Sequence, residues 1–288
     1  MGNGTGGRFQ KGTLMIRRCL VGRLMMAATV MSLASVATVG AQWTYRNPSV
    51  PRTGDGKPDM NAPAPHTAWG TVDLSGVWQT DIKYNANLAA DLKPGDVPML
   101  PAGRALYEAR QGNHGKDDPE GYCLAPGVPR VNGVPFPEKI VQTPALVVIL
   151  YETRTTFRQI FLDAQHTLAA DPEPTWMGYS KGRWEGDTLI VETRNLTDRT
   201  GISQGGNNPH SDQLVITERF RLIDANTLQY EATLNDPQTW TKPWTISFPW
   251  KRDSNYLMFE YSCHEGNYAM RNLLSGARAE EQANTRSR

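Results

Sequence analysis

The chain has 288 residues, 39% of them hydrophobic, with 30 basic against 29 acidic side chains and a formal charge of +1. That length and apolar share allow a domain with a sizeable packed core. Without the first 41 residues, which hold five of the basic groups, the balance is 25 against 29 and the charge −4, which leaves no electrostatic footprint for DNA or RNA and excludes nucleic acid as a partner.

Residues 1–41 read as a signal peptide. They carry Arg8, Lys11, Arg17, Arg18 and Arg23 and no acidic residue, then an apolar run over 24–39 that closes on Val39-Gly40-Ala41 before Gln42. A positive stretch, an apolar stretch and a small-residue site in that order is what a signal peptidase cleaves, and Met15 offers a second start within it. The apolar run is shorter than the ~20 residues of a membrane-spanning helix and is diluted with Ala, Ser and Thr, so no stable membrane insertion is expected. The mature protein is therefore expected in the periplasm or outside the cell. It keeps two cysteines, Cys123 and Cys263. In an oxidising compartment such a pair most simply forms one disulfide; a catalytic thiol beside His264 is the rival reading.

Residues 42–72, rich in Pro, Gly, Asp and Asn, read as an extended arm. One β-rich domain is expected over 73–279, opening on Asp73-Leu74-Ser75-Gly76-Val77-Trp78. Residues 84–142 form a loop-rich insertion with one short helix at 101–111; a loop of that length is usually functional and is positioned to cap one end of a barrel. Alternation then predicts strands at 144–152, 156–163, 176–181, 188–195, 213–223, 227–235, 241–250 and 256–263, joined by short turns. A helix over 268–279 and a charged tail over 280–288 complete the chain. The expected fold is mainly β, an antiparallel meander closed into a lipocalin-like barrel that hides its edges.

Strand parity assigns each side chain to lumen or surface. In 213–223, Leu214, Ile216, Phe220 and Leu222 share a face with Glu218, and a carboxylate in an apolar row is costly unless paired or hydrogen-bonded. By the same parity Glu260 sits with Tyr256 and Met258, His264 continues that row, and Asp163 continues the row of Phe157 and Phe161. These groups are expected to converge in one small-ligand cavity. The loop before Gln213 delivers His210 as a candidate proton shuttle, with Glu218 and Glu260 to orient or abstract. Arg158, Asp163, Trp176, Arg219, Trp244 and His264 are the candidate substrate-binding residues. The structural alternative is an ion pair of Glu218 with an inward arginine such as Arg158 that merely fixes register, and for His210 a surface turn. No pair of histidines has metal-binding spacing, so neither metal nor cofactor is expected.

The stretches DLSGVW (73–78), CLAPGVPR (123–130), GYSKGRWEGDTLIVET (178–193), PHSDQLVITERF (209–220) and EYSCHEGN (260–267) resemble an uncharacterised family of exported bacterial proteins. The resemblance covers most of the chain after residue 73 and implies export, with no activity to carry over. Gly76-x-Trp78, the meander and the last helix are also similar to lipocalin-like (calycin) barrels, from which the 84–142 insertion departs. Together these imply an exported barrel that binds a small apolar or aromatic molecule. Cofactor-independent acid–base catalysis of lyase, isomerase or hydrolase type is one function for it, and non-catalytic ligand binding or an envelope role the alternative.

Overall fold

The computed structural model describes residues 52–286 except 57, 58, 60, 61, 94, 114, 205–207, 266 and 267; the expected signal peptide lies outside these residues. The described chain is mainly β. Its nine strands are β1 (Gly76–Thr80), β2 (Glu138–Gln142), β3 (Leu146–Tyr151), β4 (Thr156–Phe161), β5 (Tyr179–Glu185), β6 (Thr188–Arg194), β7 (Val215–Asp224), β8 (Thr227–Asn235) and β9 (Trp244–Arg252). They form a closed barrel in sequence order, with β1 pairing back onto β9. Among the described residues three α-helices accompany them: α1 (Lys83–Ala86), α2 (Pro101–Gly112) and α3 (Ala269–Arg286). No helix of the described residues is long and apolar enough to cross a membrane.

Period-two patterning builds the wall. Along β7, Ile216, Glu218, Phe220 and Leu222 are buried while Thr217, Arg219 and Arg221 are exposed, and β8 and β9 repeat the alternation with Leu228, Tyr230, Ala232 and Leu234 and with Trp244, Ile246, Phe248 and Trp250. The inward rings of Phe220, Tyr230, Phe248 and Trp250 pack with centroids 5.1–5.8 Å apart, so the lumen is filled by side chains, as a small barrel requires.

A ring of nine strands cannot alternate direction throughout, so one neighbouring pair must run parallel. That pair is β4 and β5, which join only at Ile160 opposite Ser180 and Phe161 opposite Lys181. A parallel neighbour needs the chain to travel back along the barrel, and residues 162–178 make that return. The barrel closes in sequence order as expected, with this one pair parallel rather than antiparallel. Two residue pairs join the strands there, against three or more at every other seam.

Three expected elements differ. Residues 256–263 form no strand; Glu152 accepts hydrogen bonds from the Tyr256 hydroxyl at 3.0 Å and from Phe259 N at 3.0 Å, which directs this segment over the outside of the barrel. The ninth strand is instead β2, inside the expected insertion and paired between β1 and β3, where Glu138, Ile140 and Gln142 are buried and alternate with Lys139 and Val141. Strand β5 runs through Gly182 to Glu185, so its turn is shorter than the one read from sequence.

The strand registers place the 81–137, 195–214 and 236–243 connections at the same end of the barrel. They cross-link there: Leu100 N donates to Thr239 O at 2.8 Å and Arg110 Nη1 to Thr200 O at 3.0 Å. The segment 128–134 is buried and enters that mouth as a plug. The insertion thus does cap one end. A disulfide between Cys123 and Cys263 ties the plug's approach to the C-terminal segment.

Candidate functional site

Glu218 is fully buried and meets the guanidinium of Arg158, itself buried, across the lumen. Arg158 Nη1 donates to Glu218 Oε1 at 2.9 Å, and Nη2 also reaches the carboxylate. The Thr193 hydroxyl donates to Glu218 Oε2 at 2.9 Å, the Tyr230 hydroxyl to Oε1 at 2.9 Å, and Asn132 Nδ2, from the plug, to Oε1 at 3.4 Å. Arg158 Nε donates to Ser180 Oγ at 2.9 Å and Nη2 to Thr193 Oγ1 at 2.5 Å. Burial alone would lower the pKa of Arg158, but the facing Glu218 charge raises it above the usual value. Burial raises the Tyr151 and Tyr230 phenols. Every lone pair of the carboxylate is occupied, so the pair is charge-neutral and fixed. The sequence alternative, an ion pair with Arg158, is the arrangement found.

The other residues nominated from sequence do not join it. His210 is buried in the 195–214 connection: its Nδ1 faces Ser211 O at 2.9 Å and therefore carries the proton, leaving Nε2 to accept from Thr200 Oγ1 at 2.7 Å. Burial lowers its pKa, so the ring is held neutral. It is no surface histidine: it is buried, and Arg110 of α2 donates to the carbonyl of its partner Thr200. Glu260 and His264 are exposed on the C-terminal segment rather than lumenal, because 256–263 is not a strand. Asp163 lies beyond β4 and caps a turn, accepting from His166 N at 2.6 Å; the Phe157 and Phe161 row it continues faces outward. Arg219 is on the outer face opposite Glu231. Trp244 is buried against Trp240, with ring centroids 5.2 Å apart.

Sequence reasoning missed Glu138. It is fully buried on β2, opposite Trp78 and Tyr151, with neither carboxylate oxygen hydrogen-bonded. Desolvation raises its pKa well above the ordinary carboxylate value. The signal was available in the alternation of Glu138 with Ile140 and Gln142, had β2 been recognised.

A cavity does open, outside the lumen rather than in it. Where β4 and β5 diverge above their two paired residues, a cleft of about 460 Å³ lies between Phe157, Phe161, Trp176, Met177 and Tyr179, with Arg158 and Ser180 at its floor. Phe161, His166 and Tyr179 stack at one end, the Phe161 and His166 rings 3.5 Å apart. At Trp176, the guanidinium of Arg199 lies 4.6 Å from the ring centroid. Of the nominated binding residues, Arg158 and Trp176 are brought together here. A second recess of about 280 Å³ beside residues 87–97 has Tyr107 as its one aromatic wall. Among the described residues no group of three or more His, Cys, Asp or Glu side chains could hold a metal ion. No family model, no curated protein and no solved structure matches the chain, so a functional reading rests on the site's own geometry.

Proposed function

We propose that the protein is an exported barrel that binds a small apolar or aromatic molecule in the β4–β5 cleft, as a binding protein rather than an enzyme. The observation that carries this is the cleft itself: about 460 Å³ bounded by four aromatic rings and a methionine, within the roughly 300–1,000 Å³ range of small-molecule sites. Catalysis loses support because its three nominated groups share no cavity. Proton transfer needs the acid or base within hydrogen-bond reach of the substrate, whereas Glu218 and His210 spend their polar atoms inside the protein and Glu260 stands outside it. An envelope scaffold working through strand edges loses support because the barrel closes on itself. The Cys123–Cys263 disulfide supports an oxidising, extracytoplasmic compartment.

The test is a titration with the neutral fluorescent probe N-phenyl-1-naphthylamine. Binding should enhance its emission, and Phe157→Ala should weaken it about fivefold or more, since Phe157 is an exposed cleft wall whose loss removes apolar contact without opening the core. No enhancement, or enhancement indifferent to Phe157, would refute the reading.

A further inference from the structure

Hydrogen-bond parity fixes which backbone groups of β4 face the cleft. Leu162 N donates to Ala145 O at 2.9 Å, and with that pair the register bonds the even-numbered residues of β4 to β3. In an antiparallel ladder the residues between them turn both backbone groups the other way. Phe157, Gln159 and Phe161 therefore present N–H and C=O toward β5. The ladder with β5 begins only at Ile160 opposite Ser180; it engages Phe161 and the Gln159 carbonyl and stops short of Phe157. Both backbone groups of Phe157 and the N–H of Gln159 are left without a protein partner among the described residues.

The facing wall is open in the same way. Thr175 N donates to Asn195 O at 3.0 Å and Thr175 O accepts from Thr197 N at 3.0 Å, so this residue turns away from the cleft. The backbone of Trp176, Met177 and Gly178 has no hydrogen-bond partner among the described residues. An unpaired strand edge is a template for another strand, and proteins usually guard it with Lys, Pro or an outward charge. Strand β4 has no Lys and no Pro, and its one charged residue, Arg158, is turned into the lumen. The edge is unguarded.

Resting on the cleft reading above, we infer that the molecule bound there is a short extended peptide with one apolar or aromatic side chain, added as a strand to the β4 edge. Its backbone exchanges hydrogen bonds with Phe157, which a flat hydrocarbon of the same size would leave to water. Cross-strand neighbours share a face, so the peptide residue opposite Phe157 lays its side chain on the side of that ring. The residues before and after it point the other way, toward Arg158 and Ser180. Both of these are buried and close the floor, so the peptide's inward positions take only small side chains. The preferred order is small, aromatic, small.

The experiment titrates the folded protein with acetyl-Ala-Ala-Phe-Ala-Ala-amide and follows amide hydrogen exchange by NMR. Saturation should slow exchange of the Phe157 amide about tenfold or more. The analogue N-methylated at its phenylalanine should bind about fivefold or more weakly, because it loses the donor that meets the Phe157 carbonyl. The naphthylamine probe should be displaced by the peptide, and on its own should leave the Phe157 amide exchanging as in the free protein. Equal affinity of the two peptides, an unprotected Phe157 amide in the complex, or a probe that binds where the peptide does not would overturn the inference while leaving the cleft reading intact. Protection that rises with protein concentration in the absence of peptide would assign the edge to a second copy of the chain and overturn it too. If neither peptide nor probe binds, the cleft reading fails and this inference falls with it.

Discussion

A carboxylate surrounded by donors and a carboxyl with none share one lumen, and the difference decides what each does to stability. Glu218 accepts from Arg158, Thr193, Tyr230 and Asn132. Removing its charge strands a buried guanidinium, so Glu218→Gln should cost about 3–5 kcal/mol in urea unfolding. The paired replacement Arg158→Met with Glu218→Leu should recover most of that loss, because it removes both desolvation penalties together; a single-variant cost under about 1 kcal/mol would mean the pair is no anchor. Glu138 works in the opposite direction. The unfolded chain releases its proton near pH 4.3, while the folded chain holds that proton well above this value. Between the two values folding must take up a proton, so stability falls as pH rises, by up to about 1.4 kcal/mol per pH unit. Glu138→Gln is neutral at every pH; its stability relative to wild type should climb from pH ~5 to ~7, read from urea midpoints. A difference that stays flat with pH would show that the carboxyl is not enclosed as described.

At the scale of elements, the connections at the plugged end are cross-linked by hydrogen bonds among their described residues. The 195–214 connection is pinned by His210 between Thr200 and the Ser211 carbonyl. Because burial lowers its pKa, the unfolded chain takes up a proton first as pH falls below about 6.5. That contribution to stability is present above this pH and is lost toward acid, and His210→Gln should flatten the acid limb of a melting-temperature series. The C-terminal segment is held by the Cys123–Cys263 disulfide and by Glu152; burial, together with the hydrogen bond to Glu152, pushes the Tyr256 phenol up to about 12. The 140-residue separation of the two cysteines corresponds to about 5 kcal/mol in the chain-entropy model. Reduction should therefore lower stability by roughly 2–5 kcal/mol and open residues 253–265 to proteolysis; an unchanged midpoint and cleavage pattern would contradict a clamp. The same segment shows why one strand was misread. Tyr256, Met258 and Glu260 alternate as a strand would, but a strand needs a neighbouring edge, and β1 has already closed onto β9.

The whole molecule was legible from sequence wherever alternation meets a core. Strands β3, β4 and β6–β9, the inward facing of Glu218, the disulfide and the capping role of the insertion all follow from pattern and chemistry that act over a few residues. Strand β2 was not legible, because it lies in a Pro- and Gly-rich stretch and its inward positions include Glu138 and Gln142. Nor was the cleft, since it arises from a property of the closed ring: an odd strand count forces one parallel, weakly paired seam, and no local pattern reports the count. Phe157 and Phe161 looked like a lumenal row for that reason, although Arg158 and Ile160 are the ones that point inward. The lumen is a packed, hydrogen-bonded core, and binding is assigned to the seam. Backbone amide shifts followed by NMR while 2-naphthamide is added would test this directly. The largest changes should fall on residues 156–161 and 175–180. Changes centred on Trp78, Tyr230 and Trp250 would place the ligand in the lumen and contradict the account.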